Sequence, residues 1–129
     1  MYNWRCLSVL IISFFTLIGC NQTIEVNLKP VPKETVDIVH KNFQQRFLYG
    51  EWRYQGTETE PGKVLALIQI PEKLSLSEEQ TSAYIQQVIC PKRTDTDVWQ
   101  QLNQVSLAVN LYITTQASGF TSQCPNPLV

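Results

Sequence analysis

The stretch KVLALIQI at positions 63–70 predicts the central strand of the fold. Its side chains alternate between two faces, and both faces are apolar over part of its length. Such a pattern is typical of a strand that is covered on both sides. Pro71 ends the strand, because proline cannot donate to a sheet. The two faces carry Val64, Ala66, Ile68 and Ile70 on one side and Leu65, Leu67 and Gln69 on the other.

The residues before this strand predict a helix followed by a hairpin. Pro61 and Gly62 form a turn signal, and residues 51–57 supply the preceding strand. Further upstream, Pro32 suits a first helical position, and apolar residues then recur at helical spacing as far as Gly50. That apolar stripe consists of Val36, Val39, Phe43 and Phe47.

The residues after the central strand predict two more helices. Ser77 and Gln80 match a capping box, so a helix begins there and ends at Cys90, before Pro91. Residues 94–101 predict a short helix, because Thr94 and Asp95 suit its cap.

Two strands complete the domain. Residues 105–115 predict the longest one, residues 116–119 a connection with glycine at its end, and residues 120–124 the last strand. The order is α, β, β, α, short α, β, β. Hairpins separated by helices predict an α+β domain, an antiparallel four-stranded sheet with helices packed on it.

The amino terminus has the pattern of a lipoprotein signal. A single Arg5 precedes an apolar run at 7–18 that is too short to span a bilayer comfortably. The following Leu17-Ile18-Gly19-Cys20 resembles the bacterial lipobox, and an uncleaved membrane anchor is the alternative. The resemblance implies cleavage before Cys20, a diacylglycerol on its sulfur, and acylation, as by palmitate, of the new amino terminus.

This interpretation divides the chain into three parts. Residues 1–19 are the signal peptide, residues 20–31 the lipidated amino terminus and tether, and residues 32–129 a single α+β domain. Asn21 stands where the inner-membrane retention signal has aspartate, which favours the outer membrane, with the domain on its periplasmic face.

Cys90 and Cys124 remain once Cys6 leaves with the leader and Cys20 carries lipid. In an oxidising periplasm, two such thiols predict one disulfide. A metal site is the competing interpretation. It is weakly supported, because the chain has one histidine and no CxxC pair.

Composition and motifs give no positive sign of catalysis. A formal net charge of −1 does not steer the chain to nucleic acid. His40 is the only histidine, and the acidic pairs Glu58/Glu60 and Asp95/Asp97 fit a turn and a helix start. We therefore expect no enzymatic activity, no cofactor and no metal. The aromatic residues either fill the core or anchor a partner.

The succession of these segments resembles the AspS-type pilotins of type II secretion. The resemblance lies in GKVLALI at 62–68, YIQQVIC at 84–90, the strand at 105–115 and Cys124. It implies a lipoprotein that binds the C-terminal segment of a secretin subunit as a helix in a groove. The lipoprotein sorting machinery would then carry the secretin to the outer membrane for pore assembly.

We place the groove at five residues, Phe43, Phe47, Tyr84, Val88 and Trp99. Other classes of protein share the leader and the size. A lipoprotein immunity or exclusion factor, binding a toxin or a transfer protein, would show a charged or polar inhibitory loop. A small wall hydrolase would need a polar cleft with paired carboxylates.

Overall fold

The computed structural model describes residues 28–129. Its elements follow the predicted order. They are α1 (Lys33–Arg46), β1 (Arg53–Glu60), β2 (Lys63–Gln69), α2 (Glu78–Tyr84) with a π-helical turn (Ile85–Ile89), α3 (Thr96–Gln101), β3 (Ser106–Tyr112), a 3₁₀ turn (Gln116–Ser118) and β4 (Phe120–Cys124). The α+β class is confirmed.

The four strands form one mixed sheet in the order β1-β2-β3-β4. β1 and β2 are antiparallel, as are β3 and β4, but β2 and β3 run parallel, with Ala66 opposite Val109. The prediction of a purely antiparallel sheet is therefore wrong at its central pair. The physical reason is the connection: α2, the π-helical turn and α3 return the chain to the start of the sheet, as a parallel crossover requires.

All the helices pack on one face of the sheet. α1 contacts β1, β2 and α3, while α2 and the π-helical turn contact β4. Register places the side chains of Val64, Ala66 and Ile68 on the same face as Leu107, Val109 and Leu111. These strand residues form one core cluster with the helical residues Val39, Phe43, Ile85, Ile89, Val98 and Trp99.

The middle helix begins as predicted and then widens. Ser77 accepts from the backbone N–H of Gln80 at 3.2 Å, and the Gln80 side chain accepts from the Ser77 N–H at 3.0 Å, so the capping box is confirmed. From Ile85 the chain forms a π-helical turn, closed by a 2.8 Å bond from the Cys90 N–H to the Ile85 carbonyl. This turn buries Ile85 and Ile89 and leaves Val88 on the surface.

The predicted disulfide is present between Cys90 and Cys124, whose Cα atoms are 5.6 Å apart. That separation is within the usual range for a disulfide. The bridge joins the end of the π-helical turn to the last residue of β4, and both cysteines belong to the core cluster. Within residues 28–129, no helix combines the length and apolar character that a membrane crossing needs.

Candidate functional site

An aromatic concavity lies where the end of α1, the loop before β1 and the π-helical turn meet. We call it the aromatic notch. It has a volume of about 400 Å³. Its side chains come from Arg46, Phe47, Tyr49, Trp52, Tyr84 and Val88, with Gly50, Glu51 and Ile89 completing the wall.

Local sequence explains how the notch is formed. α1 ends at Arg46, and the following loop turns at Gly50, whose φ of 98° lies in the region that favours glycine. The turn brings Trp52 against Tyr84, with ring centroids 6.0 Å apart and planes tilted by 60°. Such a tilted aromatic pair is a stable geometry, and here it joins the loop to α2.

Arg46 forms the base of the notch and holds its two helical walls together. Its guanidinium donates to the carbonyl oxygen of Ile89 at 2.6 Å and to that of Val88 at 2.8 Å. It also lies over the rings of Phe43 and Phe47, 5.8 and 5.9 Å from their centroids. Burial lowers the pKa of Arg46, and the charge of Asp95 acts in the opposite direction. The donors of this cation are thus directed at carbonyls at the end of the π-helical turn.

Three of the five residues predicted for a partner groove meet in the notch. They are Phe47, Tyr84 and Val88. Val88 is 48 % exposed, and the side chains of Phe47 and Tyr84 pack partly against the core. The sequence analysis grouped these three side chains, which come from two different helices, in the groove that the pilotin resemblance implies, and the structure brings them to one surface.

Phe43 and Trp99 lie elsewhere, in the core. Phe43 is fully buried and Trp99 is 2 % exposed, so neither side chain reaches the surface of the notch. Phe43 supports the notch from below, since its ring stacks on that of Phe47 at 6.4 Å. The Trp99 indole N–H donates to the Lys92 carbonyl at 2.8 Å, which holds the segment after the disulfide onto α3.

Sequence reasoning did not assign two aromatic residues to the groove. Tyr49 is 91 % exposed, and Trp52 packs on Tyr84 at the rim of the notch. The available signal was position: Tyr49 lies three residues after the end of α1 and directly before Gly50, where no regular element remains to bury a large ring. One exposed aromatic ring is ordinary on a protein surface, but Tyr49 adjoins the other aromatic side chains of the notch, and a continuous patch of this kind indicates a contact surface.

A second apolar groove, of about 420 Å³, lies at the carboxyl ends of the parallel strands. Its apolar side chains come from the loop after β2, from the end of β3 and the residues that follow it, and from the start of β4. They are Ile70, Leu74, Leu76, Leu111, Ile113 and Phe120. Crevices at this end of parallel strands are common ligand sites, so this groove is a second possible contact surface.

His40 and Tyr54 form a polar contact between α1 and β1. The single histidine, His40, shares a 2.9 Å hydrogen bond between its Nδ1 and the Tyr54 hydroxyl, with ring centroids 5.4 Å apart. Burial raises the pKa of Tyr54 to about 12, and a hydrogen bond with Thr57 opposes that shift. Between residues 28 and 129, no three histidine, cysteine or acidic side chains converge in a way that could hold a metal ion.

The predicted lipidation site, Cys20, lies outside the described residues, as do the signal peptide and most of the tether. No protein-family profile, curated protein or solved structure significantly matches the chain.

Proposed function

We propose that the protein is an outer-membrane lipoprotein of the pilotin type. In this proposal it binds the C-terminal segment of a secretin subunit, and its lipid directs the complex through the lipoprotein sorting machinery to the outer membrane. The observation that carries the proposal is the aromatic notch. It is a preformed concavity with four aromatic side chains in its wall, in a small domain whose amino terminus resembles a lipoprotein signal.

The dimensions of the notch suit anchoring side chains of a helix. A volume of about 400 Å³ admits a few apolar side chains, and a helical ligand presents such anchors at spacings of three and four residues. Tyr49 and Val88 stand exposed at the rim, where they offer area that a bound helix would cover. Aromatic side chains dominate the energetics of such contacts, because they bury much surface with few rotatable bonds.

The rigidity of the notch supports the same role. Arg46 links α1 to the end of the π-helical turn, and the Cys90–Cys124 bridge fixes that same end to β4. A surface that is ordered before binding avoids the entropic cost of ordering itself. Only the secretin segment, which in this proposal becomes helical on binding, then bears such a cost. An immunity or exclusion factor is the alternative function, and the aromatic side chains of the notch favour a segment with apolar anchors instead.

A binding experiment with matched variants tests the proposal. The lipid-free mature chain, from Asn21 onward, is titrated with the purified C-terminal segment of the secretin from the same genome. We expect binding, and we expect Val88→Asp to weaken it at least tenfold, because a carboxylate would then be buried against aromatic rings. Gln87→Asp adds the same charge to the neighbouring exposed position and should leave affinity within about twofold.

Two outcomes contradict different parts of the proposal. If the wild-type chain does not bind the secretin segment, the proposed function is wrong. If Val88→Asp and Gln87→Asp weaken binding equally, the proposed function stands, but the notch is not the binding site.

An experiment in cells tests the escort role. Cys20→Ala should mislocalise the secretin or abolish its multimers, and unchanged multimers would contradict the escort role.

A further inference from the structure

The second apolar groove combines a buried base with exposed apolar side chains at its mouth. Ile70 and Leu111 form the base and are 6 % and 4 % exposed. A 2.9 Å bond from the Ile70 N–H to the Tyr112 carbonyl extends the parallel strand pair there. Leu76 and Ile113, from two different loops, line the same cavity and are 39 % and 40 % exposed. Apolar side chains that stand in water around a concave site are typical of a ligand-binding surface.

None of the described residues in the wall of this groove has a buried polar side-chain atom without a partner. The Thr81 hydroxyl, for example, donates to the Ser77 carbonyl at 2.8 Å. The interior therefore offers no unpaired group to a polar ligand. An extended peptide would bring backbone N–H and C=O groups that stay unpaired there, whereas a hydrocarbon chain brings none. The lining thus favours a hydrocarbon chain as the occupant.

The charged side chains in the wall are Lys73 and Glu78, which have opposite signs. Both residues are exposed, so their charges lie at the mouth and not in the interior. Lys73 belongs to the loop after β2, and Glu78 is the first residue of α2. Within residues 28–129, the salt bridges are Lys33–Asp37 and Lys63–Glu60, so both charges at the mouth are available to a ligand. One cation and one anion are complementary to a zwitterionic head group, such as a phosphate with a nearby ammonium.

We propose that the second apolar groove binds a zwitterionic phospholipid with a single acyl chain, that is, a lysophospholipid. The acyl chain fills the groove and covers Leu76 and Ile113. The phosphate of the head group lies beside Lys73, and the ammonium lies beside Glu78. The volume of about 420 Å³ is within the range of about 300–1,000 Å³ for small-ligand sites. The groove shares no wall residue with the aromatic notch, so this proposal does not depend on secretin binding.

Calorimetric titration with lauroyl lysophosphatidylethanolamine, below its micelle concentration, tests the site. The protein is the lipid-free mature chain from Asn21 onward, which contains every described residue. We expect saturable binding, and the affinity should fall about fourfold for each methylene removed from the acyl chain, because each buried methylene contributes to binding. An absence of binding would overturn the proposal, and so would an affinity that does not depend on chain length.

Matched leucine variants locate the bound lipid. Leu76→Asp should weaken binding of the same lysolipid at least tenfold, because a carboxylate would then lie against the acyl chain. Leu48→Asp is the control, since Leu48 is 59 % exposed and lines neither this groove nor the notch, and it should keep the affinity within about twofold. Val88→Asp, in the notch, should also leave lysolipid binding within about twofold. Equal losses for Leu76→Asp and Leu48→Asp would overturn the proposal.

Two further titrations test the head group and the kind of occupant. Lauroyl glycerol has the same chain without phosphate or ammonium, and it should bind about fivefold more weakly than the lysolipid. Lys73→Gln should reduce that difference to about twofold, because the phosphate loses its cation. Equal affinities of the wild type for the two lipids would overturn the proposal of a zwitterionic ligand. Displacement of the lysolipid by the secretin segment would show that a peptide occupies this groove, and it would also overturn the proposal.

Discussion

The guanidinium Nη1 of Arg46 lies 2.6 Å from the carbonyl oxygen of Ile89, and this bond joins the last turn of α1 to the end of the π-helical turn. The carbonyls at a helix end have no partner within the helix, and a cation there also complements the helix dipole. Arg46 thereby stabilises the domain and sets the width of the aromatic notch.

Arg46→Ala should lower the free energy of unfolding by about 2 kcal/mol, because two charge-assisted hydrogen bonds and the contact with two phenylalanine rings are lost. Arg46→Lys should lose about half as much, since an ammonium cannot reproduce the forked contact. Urea unfolding measures both. Lys41→Ala, at an exposed position of α1, is the control and should change stability by less than about 0.5 kcal/mol. Equal effects for Arg46→Ala and Lys41→Ala would contradict this role.

Removing the disulfide should have the largest effect on stability. The bridge closes a loop with a sequence separation of 34 residues. The chain-entropy account gives such a loop roughly 3–4 kcal/mol. Cys90→Ser with Cys124→Ser should therefore lower the urea midpoint strongly relative to the oxidised wild type. Reduced wild type should behave like the variant, and a difference of less than about 1 kcal/mol between oxidised and reduced protein would contradict the estimate.

The local elements could be predicted because each has a local cause. The capping box at Ser77 defines a helix start, and the Pro61-Gly62 pair defines a turn, with Gly62 at a φ of 74°. The Cys90–Cys124 pairing followed from counting cysteines. None of these predictions required knowledge of how distant segments pack.

The strand directions required tertiary information. The sequence carried one signal for the parallel pair: β2 and β3 are both largely apolar on two faces and are separated by helices, as in a β-α-β unit. The full burial of Phe43 and Trp99 could not be predicted either. Helical spacing identifies the apolar side of a helix, but it does not show which residues on that side lie at the edge of the core. The π-helical turn, which exposes Val88 beside buried Ile89, has no established sequence signature.

Gly119 allows the β3–β4 connection to close. A Cβ at this position would lie 2.7 Å from both the Asn110 side-chain oxygen and the Leu111 carbonyl oxygen. Gly119→Ala should therefore destabilise the domain by about 1–3 kcal/mol, despite the lower entropy that alanine gives the unfolded chain. Ala117→Ser, at an exposed position of the same connection, should change the urea midpoint little. If Gly119→Ala leaves the urea midpoint unchanged, the prediction is wrong, because β3 and the 3₁₀ turn would then be able to move apart at little cost.

Tyr54 should make stability depend on pH above 10. Burial raises its folded pKa to about 12, above the ordinary value of 10.0, so the unfolded chain loses the proton first. Stability is then fully present below pH 10 and falls as pH rises toward 12. Tyr54 is only partly buried, which reduces the expected loss to on the order of 1 kcal/mol by pH 11. Urea midpoints between pH 9 and 11.5 should thus fall more steeply for wild type than for Tyr54→Phe. Tyr49→Phe removes a phenol that is 91 % exposed and should retain the wild-type slope, so parallel curves for wild type and Tyr54→Phe would contradict the prediction.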